Sequence, residues 1–76
     1  MEYYDIVASI CDEYSRTYSH LICGGFKTEK EAINYINAHN ISEVQYYCFC
    51  KEDETAYIEI ERHNADGSIG DIIMVD

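Results

Sequence analysis

The stretch from Gly24 to Asn40 constrains this chain most, because it marks both ends of a helix. Thr28 followed three residues later by Glu31 is a capping box. The Thr28 hydroxyl can accept from the Glu31 backbone N–H, and the Glu31 carboxylate can reach back to the Thr28 N–H. Glu29 and Glu31 lie in the first turn, where the positive end of the helix dipole favours negative charge. Ala32, Ile33 and Ile36 form a short apolar stripe at helical spacing, with Lys30, Asn34 and Asn37 elsewhere on the wheel. His39 and Asn40 suit the C-terminus, since Asn tolerates the left-handed conformation that ends many helices.

The flanking segments alternate instead. Tyr3–Cys11 fits a strand with Tyr4, Ile6, Ala8 and Ile10 on one face, although Tyr3, Ile6, Val7, Ile10 and Tyr14 would also line up on a helix. β-Branched and aromatic residues dominate and no N-cap precedes Tyr3, which favours the strand. Asp12–Ser15 reads as a turn, and Arg16–Cys23 as a returning strand that ends at Gly24-Gly25. Beyond the helix, Glu43–Cys50 reads as a strand, with Val44, Tyr46, Cys48 and Cys50 facing one way and Gln45, Tyr47 and Phe49 the other. A strand apolar on both sides is expected at the centre of a sheet or under a second molecule. Lys51–Glu54 is a charged turn. Thr55–His63 alternates cleanly, with Ala56, Ile58 and Ile60 inward. Asn64-Ala65-Asp66-Gly67 signals a hairpin, in which Asp-Gly supplies positive φ, and Ile69–Val75 closes the sheet. The expected order is β-β-α-β-β-β. It implies one α+β domain over residues 1–76, an about five-stranded, mainly antiparallel sheet with one helix on one face.

Charge narrows the range of functions. Fifteen acidic residues stand against five basic ones, a formal charge of -10. Direct nucleic-acid binding through phosphates needs clustered Lys or Arg and is therefore not expected; a basic protein partner is. A chain of 76 residues buries only about 60–65% of its unfolded surface, so a deep enclosed pocket is not expected either. No apolar run approaches the roughly 20 residues of a membrane span. Met1–Asp5 lacks a basic leader region. The expected location is the cytoplasm, or the host cytoplasm for a phage-encoded chain. Thiols stay reduced there, and Cys11, Cys23, Cys48 and Cys50 are expected as core filler.

Motifs for chemistry are sparse. Cys48-x-Cys50 lacks the second pair and spacing of a zinc site, although Cys23 or His63 would be the residues to complete one. Glu59 and Glu61 resemble a catalytic carboxylate pair, but no apolar pocket is evident to raise either pKa. His20, His39 and His63 have no nucleophile partner at a familiar spacing, and Gly24-Gly25 reads as a turn, not a phosphate loop. The expectation is a non-enzyme with no cofactor and no metal.

With one helix on one sheet face, the other face becomes the candidate surface. Tyr57, Glu59 and Glu61 look outward from their strand, and Tyr47 joins them if the register allows. The acidic turn Glu52-Asp53-Glu54 lies next to them in sequence. Eight tyrosines and no tryptophan supply contact area with polar tips, a character favoured in interfaces.

Two resemblances follow from these residues. The first 40, a hairpin leading to Gly24-Gly25-Phe26, Thr28 and Glu31-Ala32, look like the start of HicB-type antitoxin folds. That resemblance implies a protein-interaction module, here one that would dimerise through its open sheet face. Small size, strong acidity and a single-helix sheet together resemble, as a class, phage-encoded inhibitors of the anti-CRISPR and DNA-mimic kind. This second resemblance implies that carboxylates stand in for phosphates in the basic groove of a nucleic-acid-processing complex. The phosphate mimics would be Glu52, Asp53, Glu54, Glu59 and Glu61, with Tyr57 and Tyr47 as aromatic anchors.

Overall fold

Tyr3–Cys11 forms β1, the strand on which the sheet is built. A computed structural model describes residues 1–75. β1 pairs on one side with β2 (Arg16–Phe26) and on the other with β3 (Thr55–His63), which in turn pairs with β4 (Ile69–Met74). The order across the sheet is β2-β1-β3-β4, with every neighbour antiparallel. Both sides of β1 are therefore hydrogen-bonded, which explains why its centre tolerates a run of buried residues from Ile6 to Ile10.

The period of two decides what meets the helical layer. Ile6, Ala8 and Ile10 stand opposite Ile60, Ile58 and Ala56, and all six are buried. Four of them, Ile6, Ala8, Ile58 and Ile60, cluster with Ala32 and Ile36 of α1 (Glu29–Ala38). Tyr4, Ile22, Phe26, Tyr35, Ile41, Tyr46, Ile73 and Val75 pack around the edge of that cluster. Burying a side chain of the size of Ile36 stabilises by about 1.5–3 kcal/mol. Ile33, one position off the contact line, lies on the exposed flank of the helix.

α1 begins and ends as its sequence requires. Thr28 is extended and accepts from the Glu31 N–H at 3.1 Å. The Glu31 carboxylate accepts from Lys27 N–H at 3.2 Å, one residue further back than the capping-box pattern implies. At the other end Asn40 adopts φ 53, and the Ile41 N–H donates to the Ile36 carbonyl at 3.1 Å, closing the last turn.

Glu43–Cys50 departs from the expected strand. Glu43–Phe49 is a 3-10 helix, so among the described residues the sheet has four strands instead of five, and there are two helical segments. The local reason is polar. Ser42 N–H donates to Gln45 Oε1 at 3.2 Å, and Gln45 Nε2 donates to the Asn40 carbonyl at 3.2 Å, which winds the chain directly after α1. Tyr46 and Phe49, three apart and so on one side of the 3-10 turn, meet the His20 ring with centroids 5.8 and 5.3 Å away. The aromatic run alternates by coincidence, and its working spacing is three. β2 also runs further than expected, to Phe26, with register shifts against β1 on either side of Ile6 and between Ile10 and Cys11. Such bulges raise local twist.

The cysteines are a second correction. None of the four is buried: Cys48 is exposed, and Cys11, Cys23 and Cys50 are half-buried. The core positions are held by isoleucine and alanine, and the thiols sit at the margins of the helical layer and the sheet.

Candidate functional site

The sheet face turned away from α1 carries the main concentration of charge. Cross-strand register puts Asp5 beside Glu61, Val7 beside Glu59 and Ser9 beside Tyr57, with Tyr3 beside His63 at one end. On the far side of β3, Met74 stands opposite Glu59 and Ile72 opposite Glu61; on the far side of β1, Leu21 stands opposite Val7. Glu59 and Glu61 do point away from the helix, but they are not solvated: they retain only 7% and 6% of their exposure.

Two side chains, Arg16 and His63, account for that burial. Arg16 extends from the start of β2, donating from Nη2 to Glu61 Oε2 at 2.6 Å and standing 3.6 Å from Glu59 Oε1. The His63 ring stacks on Tyr3, with centroids 4.6 Å apart and planes at 3°. Its Nε2 faces Glu61 Oε1 at 3.3 Å and Asp5 Oδ2 at 3.4 Å, and Nδ1 faces the Gly67 carbonyl at 3.1 Å. Asp5 Oδ1 accepts from Gly25 N–H at 3.0 Å. Gly24 is required here because a Cβ would run into the Asp5 carboxylate. Two buried atoms of this group have no hydrogen-bond partner, Arg16 Nε and Glu59 Oε1.

The acidic turn forms a separate region. Glu52 and Asp53 are exposed at its tip. Glu54 folds back, accepting from Lys51 N–H at 2.8 Å and lying 3.1 Å from the Thr17 hydroxyl, which is also 2.9 Å from the Ile10 carbonyl. Tyr47, Cys50, Lys51, Glu52, Glu54 and Thr55 line a cleft of about 400 Å³. The carboxylate of Glu54 is felt nearby. Burial first, then Glu54 and Cys48, push the Cys50 thiol up. Burial, Glu54 and the two thiols push the Tyr18 phenol up in the same direction; its hydroxyl donates to the Phe49 carbonyl at 2.6 Å.

The expected site residues therefore divide. Tyr47, Glu52 and Glu54 come together around one cleft, with Asp53 at the turn. Tyr57, Glu59 and Glu61 share the open sheet face. Tyr47 does not join that face, because it stands on the 3-10 helix. Sequence reasoning missed Arg16 and Asp5, and it weighed His63 as a zinc ligand without joining it to these carboxylates. A signal existed: two arginines among fifteen acids are each bound to collect carboxylates. Arg62 does so as well, donating to Asp71 at 2.9 Å and Glu2 at 3.1 Å.

Among the described residues, no three or more His, Cys, Asp or Glu side chains are arranged to hold a metal ion, and no helix is long and apolar enough to cross a membrane. The fold and these surfaces define a two-layer α+β protein with an open, charge-paired sheet face. The chain matches no protein-family model, no curated protein and no solved structure.

Proposed function

We propose that this chain is a non-catalytic acidic binding protein that occupies the basic, nucleic-acid-binding groove of a protein partner, in the manner of an anti-CRISPR nucleic-acid mimic. The observation that carries the reading is the grouping of Tyr47, Glu52 and Glu54 around one cleft, with Asp53 exposed beside it. An aromatic ring next to carboxylates gives a lysine or arginine both a surface for its stem and an acceptor for its charge. Charged Glu52 and Asp53 are free to stand in for phosphates, whereas Glu59 and Glu61 are already engaged by Arg16 and are removed from that role. The net charge of -10 adds long-range attraction to a basic groove.

The test is Glu52→Lys/Asp53→Lys, a change at exposed positions that leaves the core untouched. Binding is measured against nucleic-acid-processing complexes, a CRISPR effector first, at low and moderate salt. The parent chain should compete with DNA or RNA and lose affinity as salt rises. The reversed variant should fold and lose competition. Equal competition by a folded variant would reduce the acidic turn to a solvated loop.

A second reading, a module that dimerises through its open face, is favoured by the exposed Leu21, Tyr57, Ile72 and Met74 there. Sedimentation across a concentration series tests it.

A further inference from the structure

We infer that His63 is a proton-operated clasp: only the doubly protonated ring can hold β1, β3 and the β3–β4 turn together in the arrangement seen. The clasp lies at one end of the open sheet face, and the inference is independent of the acidic turn and of what that turn binds.

Hydrogen-bond stoichiometry carries it. Both ring nitrogens of His63 face oxygen. Nδ1 lies 3.1 Å from the Gly67 carbonyl, and Nε2 lies 3.3 Å from Glu61 Oε1 and 3.4 Å from Asp5 Oδ2. A carbonyl and an ionised carboxylate only accept, so each nitrogen needs a hydrogen to make its contact. Neutral imidazole has one N–H and one lone pair, and the lone pair would be turned onto an acceptor on whichever side it fell. The imidazolium, with an N–H on each side, satisfies both. Tyr3 adds to this, since its ring lies flat on that of His63 at 4.6 Å between centroids, and the face of a phenol ring attracts a cation. The His63 side chain keeps 12% of its exposure, which leaves little room for water as a substitute partner.

The titratable and charged groups around the ring come from every element that packs on it. β1 supplies Tyr3 and Asp5, and β3 supplies Glu61. Arg16 of β2 acts through Glu61, and it also stands 3.6 Å from Glu59. In the turn, Asp66 is directed to Ser68. The second oxygens of Asp5 and Glu61 already accept, from the Gly25 N–H and from Arg16.

Loss of one proton has a defined weak point. Keeping the hydrogen on Nε2 spares two carboxylates a lone pair, so the hydrogen released is the one on Nδ1. The Gly67 carbonyl then loses its donor. That carbonyl shares a peptide plane with the Ser68 N–H, which donates to Asp66 Oδ1 at 3.0 Å. Turning the carbonyl away therefore draws the N–H off Asp66, and Gly67, at φ 90, has no side chain to resist the rotation. The other turn bonds, Asn64 N–H to the Ser68 carbonyl at 2.8 Å and Gly67 N–H to the Asn64 carbonyl at 2.9 Å, do not involve the ring. The response is local to one peptide. Asp66 stays ionised where histidines change charge, because the Ser68 hydroxyl and then the Ser68 N–H hold it below the ordinary carboxylate range.

The experiment follows the full chain by NMR from about pH 5 to about pH 9, a span that brackets histidine titration. The ring nitrogens of His63 and the amide of Ser68 are read in the same samples. The ring should pass from two N–H groups to one, with Nε2 keeping its hydrogen. The Ser68 amide should shift with the same midpoint, and its protection from exchange should fall about tenfold, the scale of one lost hydrogen bond. His63→Gln should flatten the Ser68 response. Asp5→Asn keeps an oxygen for the Gly25 N–H and sets an amide N–H against Nε2, so its ring should release the proton at a lower pH, with Ser68 following. This variant keeps the test alive should His63→Gln fail to fold. A Ser68 amide that stays still while the ring titrates, or that still responds in folded His63→Gln, would overturn the inference. The same holds for a ring that keeps one protonation state throughout, a neutral ring that keeps its hydrogen on Nδ1, or an unchanged ring midpoint in Asp5→Asn.

Discussion

Arg16 Nη2 lies 2.6 Å from Glu61 Oε2, although β2 and β3, which carry them, are separated by the whole width of β1. The arginine stem therefore crosses the open face of the central strand. Val7 and Ser9, the β1 residues on that face, are buried even though they point away from α1. One long side chain thus does for this face part of what α1 does for the other. An ion pair of this kind is weak evidence of net stability, because desolvation offsets the attraction. Its stronger consequence is specificity, since a one-residue slip of β2 or β3 would turn Arg16 or Glu61 to the opposite face.

Removing one partner should expose that logic. Arg16→Met leaves Glu59 and Glu61 facing each other in a shielded site without their guanidinium. Losing one side of a buried pair costs about 3–5 kcal/mol. Arg16 keeps 27% of its side-chain exposure, so a discounted loss of about 2–3 kcal/mol is expected. Adding Glu59→Gln and Glu61→Gln to Arg16→Met should restore part of it, because neutral amides are cheaper to bury. Urea denaturation of the two variants measures this. A loss under about 0.5 kcal/mol, the scale of a surface pair, would mean that the clamp is decorative.

The helix offers a comparison between local and tertiary terms. Thr28→Ala removes the hydroxyl that accepts from Glu31 N–H and should cost about 1 kcal/mol. Ile36→Ala opens a cavity between α1 and the sheet and should cost about 2–4 kcal/mol. Chemical denaturation ranks them. Equal small losses would place Ile36 outside the core.

These residues also mark how far the sequence was legible. Thr28, Ala32, Ile36 and Asn40 carry local signals, a cap, a stripe and a left-handed stop, and α1 formed where they pointed. The alternation in Thr55–His63 and the Asp66-Gly67 turn likewise gave β3 and its hairpin. Glu43–Phe49 was misread because aromatic residues suit strands, while the deciding bonds, from Ser42 to Gln45 and from Gln45 to Asn40, are made by side chains that no alternation pattern weighs. For the candidate site, the outward facing of Glu59 and Glu61 was legible, but their burial was not. It depends on Arg16, 43 and 45 residues away in sequence, and on the strand order that brings it across.

Acid should weaken the turns before it reaches the core. The Ser68 hydroxyl and then the Ser68 N–H hold Asp66 below the ordinary carboxylate range, the hydroxyl donating at 2.6 Å and the N–H at 3.0 Å. The backbone N–H groups of Ser15 and Tyr14 do the same for Asp12. A folded pKa below the unfolded one stabilises fully above the unfolded value, about 4, and that contribution fades as pH falls through the folded value. Asp66→Asn should therefore be less stable than the parent at neutral pH and converge with it in strong acid. Thermal melts at pH 7, 4 and 2 check the sign; a gap that widens in acid would contradict it.

The thiols give a prediction that separates exposure from acidity. Cys48 is exposed at the end of the 3-10 helix, whereas Cys50 is half-buried and its thiol is pushed up by burial first, then by Glu54 and Cys48. The reactive species is the thiolate, so a raised thiol reacts more slowly at a given pH. Iodoacetamide at pH 8, with sites read by peptide mass spectrometry, should label Cys48 well before Cys50. Raising the pH should narrow the difference, because the Cys50 thiolate then becomes populated. Glu54→Gln removes the carboxylate nearest in effect after burial, and it should speed Cys50 while leaving Cys48 nearly unchanged. Should Cys50 react as fast as Cys48 in the parent chain, the cleft beside Tyr47 is open enough to solvate its thiolate, and the Glu54 variant should then make no difference.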